Sequence, residues 1–462
     1  MLTHRYLGVG VGALMLLWCL SGVVMLFVHW PEVREDQRVA GLAAIGGAAC
    51  CRFGATIGDA QTVEAARVES AAGRPVLRLD GQVVIDLTTG APVEAFSAAD
   101  ARAISQAFAP GAAIAAVTAV DSDQWTVTGY FNARRPFWRV RLGDPARTEL
   151  YVSAKTGEVS QRTTAAGRLL NWAGAIPHWL YPAVLRAHTK LWAQVVIWTS
   201  VLGTFLTLAG LYLGLVAWRP AGDGRASPYR GLMTWHHLTG LATGILTLTW
   251  VVSGLLSMNP WGLLGSGPDK GAARLAGGAH AFAEVREALT AAVTARPDAR
   301  QIRTAPFAGS LYLMADGERL DARGRRAALS AAELALALER LGPVAAQDTI
   351  AEEDAYYFAH HAPVTLPVRR VVLTDGTRYY LDPGSGEVLQ VLDAPARGYR
   401  WLHLGLHRLD IIPGLRQGAG WAAAMVILLA GVTLGVGLGV WLAWRRAMHD
   451  LAGWRRNRLP SR

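Results

Sequence analysis

The stretch HRYLGVGVGALMLLWCLSG, residues 4–22, recurs in outline as HHLTGLATGILTLTWVVSG, residues 236–254. In both copies a histidine opens the run, a glycine follows four residues later, and Trp-x-x-Ser-Gly closes it. Each stretch overlaps an uncharged run, residues 6–31 and 231–268, longer than the roughly 20 residues that a helix needs to cross a hydrocarbon core. The two stretches therefore predict membrane-spanning helices and an internal repeat.

Two further uncharged runs, residues 191–218 and 418–444, bring the number of predicted transmembrane helices to four. The chain of 462 residues is 52% hydrophobic and only 17% charged, which excludes a disordered chain and argues against an ordinary soluble one. No small-x-small cleavage site ends the first run, and its last residues, 28–31, are bulky, so we expect an uncleaved anchor rather than a signal peptide.

The second and fourth helices are preceded by matching segments, because Trp172 and His178 are spaced as Trp401 and His407 are. The chain thus reads as two copies of helix, outer domain, helix, both in the same orientation. The predicted fold class is a membrane protein, mainly α, with four transmembrane helices in two parallel pseudo-repeats, each carrying a small α+β domain.

Each outer domain shows a strand, a glycine turn and a second strand, at residues 151–159 and 380–388. Alanine-rich helices are predicted at residues 97–108 and 330–341, each with a serine at the N-cap.

Basic residues mark the predicted cytoplasmic side. The net charge of +10 comes from 45 Lys and Arg against 35 Asp and Glu, and ten of the arginines lie before the first helix, between the second and third, and after the fourth. By the positive-inside rule both termini are cytoplasmic, and the long stretches lie in the periplasm of a bacterium with two membranes. The charge therefore points to membrane lipid as a partner, and no basic and aromatic pattern of a nucleic-acid module accompanies it.

The predicted segments are transmembrane helix 1 (1–31), periplasmic domain 1 (32–170), an interfacial segment with transmembrane helix 2 (171–218), a cytoplasmic loop (219–230), transmembrane helix 3 (231–260), periplasmic domain 2 (261–398), an interfacial segment with transmembrane helix 4 (399–444) and a cytoplasmic basic tail (445–462).

Histidines at the ends of these helices are the candidate metal ligands, because ionisable residues at membrane depth are costly and default to functional hypotheses. A symmetric pair of histidines on facing helices is the arrangement that bis-histidine ligation of haem requires. Zinc is the competing metal, but it prefers four ligands that include cysteine or carboxylate. For any single histidine, interfacial anchoring is the alternative. The candidates are an inner pair, His4 and His236, with His237 as alternate, and an outer pair, His178 and His407, with His29 and His403 as alternates.

Two layers of histidine predict two haem b groups stacked across the bilayer. His4 and His29 are separated by about 37 Å of helix, so one metal cannot use both layers. His188, at the outer interface, is expected to be an anchor.

Two other features have functional and structural interpretations. Asp354, Tyr357, His360 and His361 lie close together in sequence and suit ferric iron or a polar ligand, although surface strand-and-turn chemistry explains them equally well. In the first domain the matching place, residues 130–136, stays polar but lacks the histidines. For the adjacent Cys50 and Cys51 we expect two partly buried thiols, with a vicinal disulfide or a soft-metal site as alternatives.

Several segments taken together carry a family resemblance. They are His4-Arg5-x-x-Gly8, Trp235-His236-His237-x-x-Gly240, Gly174-Ala-Ile-Pro-His178-Trp-Leu-Tyr, Trp401 with Gly405-Leu-His407-Arg-Leu-Asp410, and the strands ending near Val159 and Val388. On these residues the chain resembles the PepSY-associated transmembrane helix family over nearly its full length. The resemblance implies an inner-membrane protein whose α+β periplasmic domains are PepSY-like. It also implies similarity to siderophore-iron reductases that carry two b-type haems bound by histidines.

The expected function is therefore that of a transmembrane oxidoreductase, similar to a ferric-siderophore reductase, in the bacterial inner membrane. Electrons would pass from a cytoplasmic or quinol donor through the inner and outer pairs to a periplasmic acceptor, expected to be ferric iron in a siderophore, and no separate catalytic residue is expected. Two alternatives stay open: a periplasmic binding or regulatory module that the helices only anchor, and a small-solute transport component.

Overall fold

The computed structural model describes residues 2–46, 50–54, 57–81, 83–218, 227–266, 270–359 and 363–458. The chain forms two compact units, each held together by its own internal contacts. The helical unit contains Met1–Trp30, Leu169–Gly265 and Pro395–Arg462, and the sheet unit contains Pro31–Arg168 and Ser266–Ala394. Each unit therefore takes segments from both halves of the chain.

Within the described ranges, four helices are long and apolar enough to cross a membrane, as the sequence predicts. They begin and end at Leu2–Met25, Thr189–Ala217, Leu232–Ser257 and Gly418–Arg458. The helices, in chain order, are α1 (Leu2–Met25), α2 (Glu35–Ala40), α3 (Ala98–Phe108), α4 (Ala165–Ala173), α5 (Ala175–His178), α6 (Ala183–Arg186), α7 (Thr189–Ala217), α8 (Leu232–Ser257), α9 (Lys270–Ala276), α10 (Phe282–Ala295), α11 (Ala331–Leu341), α12 (Ala394–Tyr399), α13 (Leu406–Arg408) and α14 (Gly418–Arg458), with a 3-10 helix at Gly129–Arg134 and a π-helix at Arg400–Gly405.

The last helix is longer than its apolar run. The 41 residues of α14 span about 60 Å, roughly twice the thickness of a hydrocarbon core. The helix continues into the basic tail, where an ion pair of 3.0 Å between Arg446 and Asp450, one turn apart, supports it.

The four long helices pack in a ring. The principal helix contacts join α1 to α14, α14 to α8, α8 to α7, and α7 back to α1. Met15, Leu206 and Val251 are buried together between these helices, with Leu7 and Val11 packed against them. The interior of the ring at this level is therefore filled with apolar side chains.

Antiparallel sheets form the sheet unit. The central one has six strands in the order β12-β11-β10-β2-β3-β4, and two four-stranded sheets have the orders β5-β6-β7-β8 and β13-β14-β15-β16. The strands are β1 (Thr62–Val63), β2 (Ala66–Ala71), β3 (Arg74–Leu79), β4 (Val83–Asp86), β5 (Ile114–Val120), β6 (Phe137–Leu142), β7 (Glu149–Ser153), β8 (Val159–Thr163), β9 (His280–Ala281), β10 (Gln301–Thr304), β11 (Tyr312–Ala315), β12 (Glu318–Asp321), β13 (Val344–Ile350), β14 (Val368–Leu373), β15 (Arg378–Leu381) and β16 (Val388–Leu392).

The six-stranded sheet joins the two halves of the chain. Its middle pair, β2 and β10, is antiparallel with Val68 opposite Ile302, so each half contributes three strands. Helix α10 covers this sheet with buried Phe282 and Leu289. The outer stretches, predicted as two domains, thus share one sheet.

Helices α3 and α11 support the prediction made from their N-termini. Ser97 accepts a hydrogen bond from the backbone N–H of Asp100, and Ser330 accepts one from Glu333, so each helix begins with a capping box. Helix α3 packs against the first four-stranded sheet, and α11 belongs to the core of the second.

Cys50 and Cys51 are joined in a vicinal disulfide rather than left as the two thiols that the sequence favours. Both residues pack against the core of the six-stranded sheet. The disulfide is therefore part of the packing around the core of this sheet.

Candidate functional site

The inner pair lies at the start of α1 and α8. The ring centroids of His4 and His236 are 6.5 Å apart, and the ring planes are inclined by 30°. His4 Nδ1 is 3.2 Å from the carbonyl oxygen of Leu206 on α7, and His236 Nδ1 is 3.0 Å from that of Gly435 on α14. Because a carbonyl oxygen only accepts, each Nδ1 carries the proton and each Nε2 keeps its lone pair.

Glycine makes room for both rings of the inner pair. A Cβ on Gly210 would lie 2.7 Å from Cε1 of His4, and a Cβ on Gly439 would lie 2.7 Å from Cε1 of His236. Each glycine follows the carbonyl acceptor by one helical turn. One turn of α7 and one turn of α14 therefore supply both the hydrogen-bond acceptor and the space for an imidazole.

The outer pair lies in the short helices α5 and α13. The ring centroids of His178 and His407 are 6.0 Å apart, with the planes inclined by 73°. His178 Nδ1 is 3.1 Å from the carbonyl oxygen of Trp18 and 3.2 Å from Oγ of Ser21. His407 Nδ1 is 3.0 Å from Oγ of Ser253. The repeated Trp-x-x-Ser-Gly motif thus orients the outer histidines.

Burial keeps the outer pair neutral. It lowers the pKa of His178 to about 4 and that of His407 to about 3, since a charged imidazole is disfavoured away from water. Neutral imidazole is the form that can donate a lone pair to a metal.

The alternate histidines have different surroundings. His237 is buried with Nδ1 2.9 Å from Oγ of Ser227 and Nε2 2.9 Å from the carbonyl oxygen of Gly214, so both ring nitrogens are engaged. His403 lies beside the outer pair, with its ring centroid 5.5 Å from that of His407. His29 is exposed beyond the end of α1, and His188 is exposed at the start of α7. The structure therefore brings His403, but not His188, next to the outer pair.

Asp354 in the sheet unit is already saturated with hydrogen bonds. Its Oδ2 accepts from the hydroxyl of Tyr380 at 2.8 Å and from Arg370 at 2.9 Å, and its Oδ1 accepts from the backbone N–H groups of Tyr356 and Tyr357. Burial alone would raise the pKa of Asp354, but these hydrogen bonds hold it below its usual value. The carboxylate thus links a turn to the sheet through hydrogen bonds.

A corresponding hydrogen bond between tyrosine and aspartate occurs in the first half of the chain, where the hydroxyl of Tyr151 donates to Asp123 at 2.7 Å. Tyr357 donates to the carbonyl oxygen of Thr365 at 3.1 Å. His360 and His361, proposed to complete a ligand site with Asp354, lie outside the described residues. The described part of the cluster is thus accounted for by local structure.

Among the described residues, four helices long and apolar enough to cross a membrane, together with an α+β sheet unit, indicate a membrane protein. The model of the family described as PepSY-associated TM region matches residues 1–311, more than half of the chain, so the protein belongs to this family. The match includes His4, His178 and His236 and ends before His407. No curated protein matches the chain.

Proposed function

We propose that this protein is a b-type haem protein that moves electrons across the bacterial inner membrane to a periplasmic acceptor. The observation that carries the proposal is the spacing of the two histidine pairs. Two imidazoles that share one metal at about 2 Å per bond have ring centroids roughly 6 Å apart. The inner and outer pairs have centroids 6.5 and 6.0 Å apart.

Each pair offers two nitrogens, so the metal must bring its remaining ligands. Among the described residues no group of three or more His, Cys, Asp or Glu side chains could hold a metal ion. A haem iron fits such a pair, because the porphyrin supplies four nitrogens and the protein two. The outward-facing Nδ1 bonds support this assignment, since metal-ligating histidines commonly donate their other N–H to a carbonyl or hydroxyl.

Two buried indole N–H groups are a second observation that supports a bound cofactor. The Nε1 atoms of Trp18 and Trp250 are buried and make no hydrogen bond within the described part of the chain. Both tryptophans precede, by three residues, the serines that hold the outer pair. A buried donor without an acceptor is costly, so a polar group of a bound cofactor at this level would relieve it.

Equivalent contacts in the two halves support the pseudo-repeat on which the proposal rests. Leu206 and Gly435, the carbonyl acceptors of the inner pair, are the same number of residues apart as His178 and His407. A two-fold arrangement of this kind places each pair on the axis between the halves.

In this mechanism the protein would hold and orient the haem groups and shield them from water. A bound haem iron supplies one-electron chemistry. Carbonyl and serine groups fix the imidazoles, and apolar side chains between the layers, including Met15 and Val251, exclude water and tune the potential. The donor is cytoplasmic or a quinol, and the acceptor proposed is ferric iron in a siderophore, which each transferred electron reduces to ferrous iron. The same apolar filling argues against a solute pathway.

The test is a dithionite-reduced minus oxidised spectrum of the purified full-length protein, with a pyridine haemochrome count. We expect two low-spin b haems per chain. His236→Ala and His407→Ala should each lose one haem, whereas His188→Ala, at an exposed position, should retain both. A well-folded protein that lacks haem after expression with ample haem would overturn the proposal and favour the binding-module alternative, in which the helices only anchor the periplasmic domains.

A further inference from the structure

A cavity of about 220 Å³ opens in the first half of the sheet unit. It lies between α2, α3, the turn that joins β2 to β3, and the start of β8. Its walls are largely apolar and include Leu42, Ile104 and Val159. Pockets that hold drug-sized ligands measure about 300–1,000 Å³, so this cavity suits a smaller molecule.

The turn beside the cavity has a counterpart in the second half of the chain. Ala72 and Gly73 join β2 to β3, and Ala308 and Gly309 lie between β10 and β11. All four residues have positive φ, at 52° and 78° in the first half and at 53° and 84° in the second. Two successive residues with positive φ are typical of a tight hairpin turn. The two turns are therefore equivalent, and their surroundings can be compared directly.

In the second half the turn is joined to the short helix that precedes the sheet. The backbone N–H of Ala308 donates to the carbonyl oxygen of Leu275 at 2.7 Å. The backbone N–H of Gly309 donates to the carbonyl oxygen of Ala276, at the end of α9, at 2.9 Å. Among the described residues, the turn of the first half makes neither of the equivalent hydrogen bonds to α2. That turn thus stands apart from its helix, and the cavity lies in the gap.

Arg340 on α11 occupies the corresponding place in the second half. Its Nη2 donates to the carbonyl oxygen of Ala308 at 3.0 Å, and a Cβ on Gly309 would lie 3.1 Å from the same nitrogen. A Cβ on Gly277 would collide with Nη1 of Arg340. The guanidinium is therefore packed against the turn and against the glycine that follows α9.

The first half has an alanine where the second half has this arginine. Ala107 and Arg340 lie the same number of residues after the serines that cap α3 and α11. Gly41 follows α2 as Gly277 follows α9. The first-half equivalents of Arg340 and of the residues it contacts all line the cavity; they are Ala107, Gly41, Ala72 and Gly73. The cavity is thus the space that an arginine side chain occupies in the other half.

The hydrogen-bond acceptors at the cavity suit a cation. The carbonyl oxygen of Ala72 is the counterpart of the one to which Arg340 donates. Glu158 also lines the cavity; one of its carboxylate oxygens accepts from Arg67, and the other accepts no hydrogen bond within the described part of the chain. Burial alone would raise the pKa of Glu158, but Arg78 and Arg67 hold it below its usual value, so the side chain is ionised.

Arg38 is a cation that also lines the cavity, but its donors are engaged elsewhere. Its three guanidinium nitrogens donate to Glu35 and Glu69 at 2.7–2.9 Å. Its approach to Glu158 is 4.0 Å, too long for a hydrogen bond. The second oxygen of Glu158 is therefore left to a ligand.

We infer that this cavity binds a small organic cation, an alkylguanidinium or alkylammonium, whose charged head takes the place that the guanidinium of Arg340 takes in the second half. Both kinds of head group carry several N–H donors and no acceptor, as a site made of a carbonyl and a carboxylate requires. The alkyl stem would pack against the apolar walls. The cavity lies wholly within the sheet unit, so the inference goes beyond the proposed haem function and does not depend on it.

The test uses propylguanidinium, which reproduces the arginine side chain from Cβ outward, and propylurea, its neutral isostere. Binding of each to the purified full-length protein is measured by saturation-transfer NMR, with propionate as an anionic probe. We expect propylguanidinium to bind about tenfold or more tightly than propylurea, because hydrogen bonds between a cation and a carboxylate are stronger than those of a neutral amide. Propionate should not bind.

Variants of α3 and β8 assign the binding to this cavity. Ala107→Arg places an arginine where the second half has one, so it should fill the cavity and abolish binding of propylguanidinium. Ala99→Arg, at an exposed position on the same helix, is the matched control and should bind as the wild type does. Glu158→Gln should remove most of the preference for propylguanidinium over propylurea. Ala107→Leu, which fills space without adding charge, should also abolish binding and replaces Ala107→Arg if that variant does not fold.

Three results would overturn the inference. Undiminished binding of propylguanidinium to Ala107→Arg and Ala107→Leu would place its site elsewhere. Equal binding of propylguanidinium and propylurea, or binding of propionate in their place, would exclude a site for a cation. Absence of binding by all three probes would exclude a site for small molecules of this size. Haem content is read separately from the visible spectrum, so none of these results affects the test of the proposed function.

Discussion

Ser21 and Ser253 each contact the Nδ1 atom of one outer histidine, although the sequence alone does not single out either serine. Both are buried and both contact an Nδ1 atom. Serine fits because its hydroxyl can accept from the imidazole while donating to a helix carbonyl, as Ser253 does to Trp250 at 3.0 Å. The small side chain also leaves room for the ring.

Removal of these hydroxyls should weaken the proposed binding of haem by the outer pair. Partners that orient a metal-ligating histidine commonly contribute about 10–100-fold to metal affinity. We therefore expect Ser253→Ala to release one haem about tenfold more readily, measured by haem transfer to excess apomyoglobin. Ser257→Ala is the control, because its hydroxyl donates only to the carbonyl oxygen of Gly254. Equal transfer from both variants would contradict the role assigned to Ser253.

At this scale the sequence predicts histidines better than their supports. The repeat pairs His4 with His236 and His178 with His407, because the same spacing recurs in both halves. The carbonyls of Leu206 and Gly435 could not be predicted, since every residue carries one and only the helix register selects these. Asp354 is ambiguous in the sequence, because a carboxylate near tyrosines suits both a metal and a turn.

Among the secondary-structure elements, β2 carries an unexpected charge network. Glu69 on this strand is fully buried, with Arg38 at 2.9 Å and Arg78 at 2.5 Å. Arg67 adds a third cation at 3.2 Å. Burial alone would raise the pKa of Glu69, but Arg78, Arg38 and Arg67 hold it at about 2. The network links β2 and β3 to α2.

Glu69→Gln should destabilise the sheet unit by about 1.5–3 kcal/mol, because it removes the buried carboxylate that accepts from Arg38 and Arg78, whereas Glu35 and Glu158 remain beside the arginines. The sign of the pH dependence follows from the lowered pKa. Ionised Glu69 stabilises the fold above its ordinary pKa near 4.5, and this contribution is lost as the pH falls toward 2. Thermal unfolding of the full-length protein between pH 7 and 3 should therefore be less pH-dependent in Glu69→Gln. Exposed Glu64→Gln is the control and should behave as wild type.

Local elements were predictable where the signal is local. Apolar runs gave the four long helices, and the capping serines gave the starts of α3 and α11. The pairing of β2 with β10 has no such signal, because it joins strands far apart in sequence. The length of α14 was missed because arginine is a good helix former, so a basic tail need not end a helix.

The whole molecule is built from two halves that depend on each other in both units. In the helical unit the adjacent helices α1 and α7 of the first half contact α14 and α8 of the second half, and in the sheet unit the β2–β10 pair joins the strands of the two halves into one sheet. Both structures therefore contain elements of each half, and each histidine pair likewise takes one residue from each half.

The orientation of the molecule in the membrane remains a prediction from charge, and it can be measured directly. Both termini should be cytoplasmic, because the basic segments are retained on that side, and the sheet unit should be periplasmic. We expect Glu64→Cys to react with a membrane-impermeant maleimide in intact cells, and Arg445→Cys to react only after lysis. Both positions are exposed.

The unmodified protein is the control for this labelling, since Cys19 is buried and Cys50 and Cys51 are joined in a disulfide. Labelling in the reverse pattern would place the sheet unit in the cytoplasm. In that orientation the outer pair would lie toward the cytoplasmic face, and the proposed electron transfer to a periplasmic acceptor would be excluded. The proposed direction of electron flow and the proposed acceptor therefore both depend on this measurement.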